Sequence, residues 1–127
     1  MIAVDTSALM ALLLGEPEAD ACASALEARG ALLISAVTVA EALIVAARRN
    51  LGAEMQALVE GLGFEVISAT AATARRVERL YQHWGKGQHP AALNFGDCFA
   101  YDVAEQHGCP LLYVGADFSQ TDLVAAI

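Results

Sequence analysis

Apolar residues along the chain fall into short runs that alternate with longer segments of helical periodicity. Short runs of four or five residues, each of which predicts a β-strand, lie at 1–4, 31–35, 64–67 and 111–114, and the first of these strands is expected to be buried. Segments with helical periodicity, mostly ended by glycine or asparagine, lie at 6–14, 18–29, 38–50, 53–62, 70–84 and 95–107. The glycine-rich segment 85–94 is predicted to be a loop, and the apolar end at 123–127 predicts a last edge strand.

Short apolar strands that alternate with helices indicate an α/β fold. We expect a central, mostly parallel sheet of four to five short strands flanked by helices. The length of 127 residues suits one domain, so residues 1–127 are expected to form it alone. Ligands of such folds bind at the carboxyl ends of the strands, and polar residues at those ends are therefore the first candidates for a site.

Composition indicates the cellular compartment of this domain and the nature of its surface. The chain is 57% apolar, above the roughly 45–50% typical of soluble domains, and much of the excess is alanine. Its apolar stretches are shorter than the ~20 residues of a membrane span, and its start does not resemble a signal peptide. The three cysteines form no C-x-x-C pair, which fits a reducing compartment. We expect a cytoplasmic protein with part of its surface covered by a partner or a second copy.

Four acidic residues occupy the edge of the sheet at which ligands are expected. They follow or flank the predicted strands and helix starts, and they are Asp5, Glu41, Asp97 and Asp117. No lysine or arginine lies beside any of them in sequence, so carboxylates that converge there would repel each other unless a cation joined them. Mg²⁺ and Mn²⁺ bind oxygen ligands of this kind. The pattern favours a divalent metal site.

Each acid also suits an ordinary structural role. Asp5 suits the N-cap of the first helix, Asp97 suits the positive end of its helix, and Asp117 suits a turn. Glu41 lies three residues after Thr38, which is the spacing of a capping box at the start of the predicted helix 38–50. The sequence leaves both interpretations open.

Basic residues are concentrated in one part of an acidic chain. The net charge of −8 argues against a nucleic-acid partner. Four of the seven basic residues nevertheless lie together with two histidines, and these six are Arg75, Arg76, Arg79, His83, Lys86 and His89. This stretch suits contact with a phosphate backbone, and it suits a solvated helix face equally well. Its candidates for phosphate contacts are Arg76, Lys86 and His89.

Several longer runs resemble a known family. The runs MIAVDTSA at 1–8 and SAVTVAE at 35–41 resemble the start of PIN-domain ribonucleases. The run GKGQHPAALNFGDCFAY at 85–101 is the most specific, and it is similar to the VapC toxins of bacterial and archaeal toxin–antitoxin pairs. The ending LLYVGADF at 111–118, followed by Thr121 and Asp122, fits the same branch. The resemblance covers the whole chain.

The resemblance implies a PIN-like three-layer sandwich, usually a homodimer. It implies an endoribonuclease that depends on Mg²⁺ or Mn²⁺ and is held in check by a VapB-type antitoxin. The residues that match the family's acidic quartet are Asp5, Glu41, Asp97 and Asp117, and its hydroxyl positions match Thr6 and Ser7. Many relatives carry lysine, a second acid and arginine where this chain has Val114, Ala116 and Gln88, so either Asp117 or Asp122 is left to complete the cluster.

We expect Asp5 and Asp97 to ligate the main ion. Glu41 and Asp117 would hold waters or a second ion, and Glu41 would accept a proton.

Alternative classes of protein fit less well. A signalling receiver domain also binds Mg²⁺, but it needs a phosphoacceptor aspartate in mid-chain, and none lies between Asp20 and Asp97. A phosphatase with a covalent aspartate would carry a second aspartate where Ser7 stands. The third alternative is a PIN-like RNA- or protein-binding module without catalysis. A Mn²⁺ titration of thermal stability and an RNA cleavage assay would separate these classes.

Overall fold

A computed structural model describes residues 1–28 and 30–127, so that Arg29, at the end of the predicted helix 18–29, lies outside the described residues. The elements are, in order, β1 (Ile2–Val4), α1 (Thr6–Leu14), α2 (Ala19–Ala28), β2 (Leu32–Ser35), α3 (Ala36–Ala47), α4 (Gly52–Leu62), β3 (Glu65–Ile67), α5 (Ala71–Trp84), α6 (Phe95–His107) and β4 (Leu111–Leu112). In the described part of the chain, every helix is too short or too polar to cross a membrane.

The strands form one parallel sheet in the order β3-β2-β1-β4. In the centre of the sheet, Ile2 of β1 pairs with Leu32 of β2, and Ala3 pairs with Leu111 of β4. The predicted α/β fold with a mostly parallel sheet of four to five short strands is confirmed. Because all strands run the same way, their carboxyl ends meet at one edge of the sheet.

Helices cover both faces of this sheet. Side chains of β1 alternate between two hydrophobic cores, with Ile2 and Val4 in the first and Ala3 in the second. The first core is completed by α1 to α4, with Leu9, Cys22, Ala42 and Met55 among its buried residues, and the second by α5 and α6. Burial on both faces explains why β1, β2 and β4 read as continuous apolar runs, whereas β3, at the edge of the sheet, is mostly exposed and contains Glu65. The arrangement is the three-layer sandwich implied by the resemblance.

Helix α3 begins earlier than the sequence predicted. Its N-cap is Ser35, whose Oγ accepts a hydrogen bond from the Val37 N–H at 3.1 Å. The predicted capping box of Thr38 and Glu41 is therefore wrong. Strand β2 runs directly into the helix, so the cap falls on the last residue of the strand. Glu41 lies in the second turn, where its carboxylate contacts another part of the protein.

The C-terminal segment is less regular than predicted. Strand β4 has two residues, and in place of the predicted edge strand at 123–127 a single parallel bridge joins Leu111 and Ala125. The Leu111 N–H donates to the Val124 carbonyl at 2.9 Å, and the Leu111 carbonyl accepts from Ala126 at 2.9 Å. Because β4 has only two residues, it cannot form the longer series of hydrogen bonds that would make 123–127 a strand. The prediction of a fifth strand at 123–127 is wrong.

Helix α5 carries three of the basic residues that suited a phosphate contact or a solvated helix face, and Arg76 fills neither role. The Arg76 guanidinium binds the buried Asp102 of α6 with two hydrogen bonds, Nε to Oδ1 at 2.6 Å and a terminal nitrogen to Oδ2 at 3.0 Å. Arg75 and Arg79 are exposed as expected. After α5, the predicted loop is closed at its base, because the Lys86 N–H donates to the Leu93 carbonyl at 2.9 Å.

Candidate active site

Asp5 lies directly after β1 and caps helix α1. Its Oδ2 accepts hydrogen bonds from the Ser7 N–H at 3.0 Å and from the Ser7 hydroxyl at 2.7 Å. Its Oδ1 is buried without a hydrogen-bond partner among the described residues. Such an oxygen is costly to bury unless something else binds it. The capping role and a ligand role are therefore compatible, because each uses a different oxygen of one carboxylate.

Ser7 connects Asp5 to the end of the neighbouring strand, β4. The Ser7 hydroxyl, which donates to Asp5, also accepts a hydrogen bond from the Val114 N–H at 3.0 Å. Val114 follows β4, the neighbour of β1 in the sheet. The hydroxyl therefore fixes the rotamer of Asp5 against the backbone of the adjacent strand. Val114 contributes through its backbone, so the absence of a lysine side chain there leaves this contact intact.

Asp97 is the third residue of α6 and is held by a capping box. The Asn94 side chain accepts from the Asp97 N–H at 2.9 Å, and Asp97 Oδ2 accepts from the Asn94 N–H at 3.0 Å. The side chain of Asp97 is buried, although it is ionisable. This reciprocal pair places the carboxylate at the positive end of the helix, at the carboxyl edge of the sheet.

Glu41 reaches the same edge from α3. The Thr6 hydroxyl donates to Glu41 Oε1 at 2.6 Å, and Gly96 of α6 lies next to Oε2 of the same carboxylate. Glu41 is half-buried. Three elements therefore determine where this carboxylate lies: α3 carries it, α1 donates to it, and α6 limits the space around it.

The electrostatics of Asp97 show that the acids converge. The pKa of Asp97 is raised from 3.8 to about 7, first by burial and then by the charges of Asp5, Asp117 and Glu41, while the hydrogen bond from Asn94 lowers it. The pKa of Asp5 is also raised, first by burial and then by the charge of Glu41, while its hydrogen bonds from Ser7 lower it. The four predicted acids therefore share one electrostatic environment.

Asp117 and Asp122 differ in their surroundings. Asp117 is exposed in the turn after β4, and its charge acts on Asp97. Asp122 accepts a hydrogen bond from the buried Tyr101 hydroxyl and is not among the charges that raise the pKa of Asp97. Asp122 thus anchors the C-terminal segment to α6, while Asp117 lies with the acids.

The donor set fits a hydrated divalent cation. Among the described side chains, no three carboxylate, imidazole or thiolate groups are close enough to enclose an ion by themselves. Mg²⁺ commonly takes one or two carboxylates directly and keeps several waters, whereas a structural zinc site is closed by four protein ligands. The unpartnered Oδ1 of Asp5 and the raised pKa of Asp97 are both features that a bound cation would relieve. Asp5 and Asp97, which carry these two features, are the residues that could hold such a cation.

The predicted phosphate contacts separate into two groups. Lys86 is exposed in the loop that leads to α6. His89 lies in the same loop, where its Nδ1 accepts from the Ala91 N–H at 3.0 Å and its ring packs edge-on against Trp84 at 4.7 Å. The guanidinium of Arg76 is already engaged by Asp102.

Sequence reasoning missed two contributors to this site. One is the Val114 N–H, which no side-chain pattern reveals. The other is Gly96, which stands inside the first turn of α6, where glycine is a poor helix former. That mismatch between residue and local structure is a signal that the sequence did contain.

Comparison with known proteins places the chain in a family. A family model described as the PIN domain matches residues 2–124. A VapC ribonuclease of Mycobacterium bovis is 47% identical over 125 residues, which cover 94% of this chain and 89% of the relative. Ribonuclease VapC30 of Mycobacterium tuberculosis is 38% identical over 123 residues, which cover 94% of both chains. The chain therefore belongs to the PIN-domain family, and within it to the VapC ribonucleases.

Solved structures agree with this assignment at the level of the fold. VapC20 of Mycobacterium tuberculosis, described as a sarcin-ricin loop cleaving toxin, superposes with a TM-score of 0.79 at 21% identity, covering 98% of this chain and 97% of that one. A toxin–antitoxin complex from Klebsiella pneumoniae superposes with a TM-score of 0.73 at 23% identity, covering 100% of this chain and 98% of that one. The PIN-like fold expected from the sequence is confirmed.

Proposed function

We propose that this chain is an endoribonuclease that hydrolyses phosphodiester bonds of RNA with Mg²⁺ or Mn²⁺. We propose further that it acts in the cytoplasm, as one domain, and is the toxin of a type II toxin–antitoxin pair. The observation that carries the proposal is the convergence of three carboxylates, those of Asp5, Glu41 and Asp117, on Asp97, whose pKa is raised to about 7. Membership of the VapC ribonucleases, with a relative at 47% identity, supports the same activity.

The proposed roles follow from the contacts of each acid. Asp5, through its unpartnered Oδ1, and Asp97 hold the cation. When bound there, a divalent cation supplies positive charge next to the phosphoryl oxygens. Glu41 accepts a proton from the attacking water, and the hydrogen bond from Thr6 to Oε1 keeps it in place for that task. Asp117, exposed at the rim, holds water or a second ion.

The loop 85–93 is the proposed contact for the RNA backbone. Its base is closed by backbone hydrogen bonds, the Lys86 N–H to the Leu93 carbonyl at 2.9 Å and the Leu93 N–H to the Trp84 carbonyl at 3.1 Å. Lys86 therefore projects from a loop of defined shape. Nδ1 of His89 accepts from the Ala91 N–H, which leaves Nε2 to donate to a phosphate. Arg76 is assigned a structural role, because Asp102 holds its guanidinium.

Exposed apolar surface beside the acids supports the proposal that other proteins bind there. A groove of about 320 Å³ is bordered by Glu41 and by the apolar residues Val37, Ile44 and Phe95. Ile44 is 53% exposed and Phe95 is 67% exposed, which is typical of surfaces that another protein covers. We propose that a VapB-type antitoxin lies over this groove and so blocks the acids, and that two copies of the chain form a homodimer. Light scattering of the chain with and without the antitoxin tests both assignments.

An RNA cleavage assay with controlled metal content tests the proposed activity. The purified chain should cut RNA internally in the presence of Mg²⁺ or Mn²⁺, lose this activity with a chelator, and regain it when the metal is restored. Cleavage that is indifferent to the chelator contradicts the metal-dependent site. A chain whose melting temperature rises with Mn²⁺ but which does not cut RNA is a binding module without catalysis.

A further inference from the structure

Gly96 is the second residue of α6, and local structure does not explain why it is a glycine. The residue is buried, and its backbone is helical, so no left-handed conformation requires the absence of a side chain. Alanine is intrinsically a better helix former than glycine. A glycine held at such a position indicates that something outside the helix excludes a side chain.

The group that excludes it is the carboxylate of Glu41. A Cβ placed on Gly96 would lie 2.9 Å from Glu41 Cδ and closer still to Oε2, whereas real Cβ atoms essentially never approach other atoms within 3.0 Å. The three nearest atoms all belong to this one side chain. A methyl group at position 96 and the present position of the Glu41 carboxylate are therefore mutually exclusive.

We propose that Gly96 is a positioning residue for the reaction, because its missing side chain leaves the space that the Glu41 carboxylate occupies. Thr6 holds the other oxygen of the same carboxylate, through the hydrogen bond of 2.6 Å to Oε1. Glycine on α6 and threonine on α1 thus fix one proton-accepting group between them. The inference rests on the proposed function, since it takes Glu41 as part of the reacting site.

The geometry separates this role from a role in folding. The carboxylate is the far end of a flexible, half-buried side chain, so a methyl group at position 96 would push the carboxylate aside and leave α6 in place. Alanine would also improve the helix. Gly96→Ala should therefore keep or raise the melting temperature of the metal-free protein while it lowers the rate of cleavage.

A matched pair of variants tests this expectation. Gly96→Ala should reduce metal-dependent RNA cleavage by roughly 10- to 100-fold, the range expected when a reacting group is displaced by about an ångström. Gly61→Ala is the control, because Gly61 also lies in a helix and a Cβ there would meet nothing within 4 Å. It should leave cleavage unchanged. A crystal structure of the Gly96→Ala variant should show the Glu41 carboxylate displaced and α6 unmoved.

A rescue variant tests whether the clash with the Glu41 carboxylate causes the loss of activity. Glu41→Asp retracts the carboxylate by one methylene, so Gly96→Ala should cost several-fold less activity in that background than in the parent. The rise in melting temperature caused by Mn²⁺ gives a second readout on the parent, the two single variants and the double variant, and it does not depend on turnover. Gly96→Ala should reduce this rise less in the Glu41→Asp background than in the parent.

The outcomes are distinguishable. Equal losses in the two backgrounds, an unmoved carboxylate, or a Gly96→Ala variant that unfolds would overturn the positioning role of Gly96. A parent protein without metal-dependent cleavage would overturn the proposed function itself. If the parent shows metal-dependent cleavage and Gly96→Ala cleaves RNA equally fast, the positioning role of Gly96 is overturned and the proposed function stands.

Discussion

The Ser7 hydroxyl donates a hydrogen bond to Asp5 Oδ2 at 2.7 Å and accepts one from the Val114 N–H at 3.0 Å. It therefore aligns Asp5 with the end of the neighbouring strand. Ser7→Ala removes both contacts and should lower metal affinity or activity by roughly 10- to 100-fold, as is typical when the partner of a metal ligand is lost. Mn²⁺ titration and a cleavage assay measure the two effects. Ser24→Ala, on the exposed side of α2, is the control; a Ser7→Ala variant with the parent's metal affinity would refute this role.

The raised pKa of Asp97 predicts how stability depends on pH. Its value is about 7 in the folded protein against 3.8 as the ordinary value, so between these limits the folded state binds more protons than the unfolded state. The free energy of unfolding of the metal-free protein should therefore fall as pH rises through this window, by about 1.4 kcal/mol for each unit of pKa difference. Above the folded pKa this contribution should level off.

Asparagine at position 97 cannot ionise and should remove that part of the pH dependence. The measurement is urea unfolding of the parent and of Asp97→Asn at about pH 5 and about pH 8, both without metal. The parent should lose more stability than the variant between the two conditions. Identical pH dependences in the two proteins would show that Asp97 titrates near its ordinary value.

The ion pair of Arg76 and Asp102 should matter for stability. Asp102 is 4% exposed and Arg76 is 29% exposed, so Arg76→Ala leaves a buried carboxylate without its partner. The expected loss is roughly 1.5–3 kcal/mol of unfolding free energy, the range for hydrogen bonds to charged groups. Arg75→Ala, one residue earlier and exposed, should change stability little. Equal losses for the two variants would contradict the special role of Arg76.

Lys86 should contribute to RNA binding through its charge. Lys86→Gln should weaken binding to RNAs of different sequence to a similar extent. It should also reduce the slope of log affinity against log salt by about 0.7, the value for one contact with single-stranded nucleic acid. Arg49→Gln, in the turn after α3, removes the same charge elsewhere on the surface. If both variants lose affinity equally, the effect comes from net charge and not from the loop.

The sequence predicted the parts of this protein that depend on local pattern. Continuous apolar runs indicated strands buried on both faces, and the rule for α/β folds brought Asp5 and Asp97 to one edge. The errors arose where a different cap or a distant partner overrode the local pattern. Thr38 and Glu41 have the spacing of a capping box, but Ser35 at the strand end caps the helix first. Arg76 looked like a surface cation, and its partner Asp102 is 26 residues away.

Contacts across long sequence separations account for what the sequence could not reveal. Thr6 meets Glu41 over 35 residues, and Ser7 meets Val114 over 107 residues. No periodicity along the chain encodes either pair. Gly96 was predictable only in part. The sequence shows a glycine inside a predicted helix, but it does not show that the cause is a carboxylate from α3.

Asp5 and Asp97 are proposed to form a metal-dependent site that cuts RNA. The most direct test is the rate of RNA cleavage by Asp97→Asn at saturating Mn²⁺, with circular dichroism to establish that the variant is folded and Asp20→Asn, an exposed acid of α2, as the matched control. We predict that the control cuts RNA as the parent does and that Asp97→Asn shows no metal-dependent cleavage. A folded Asp97→Asn variant that cuts RNA at the parent's rate would contradict the account.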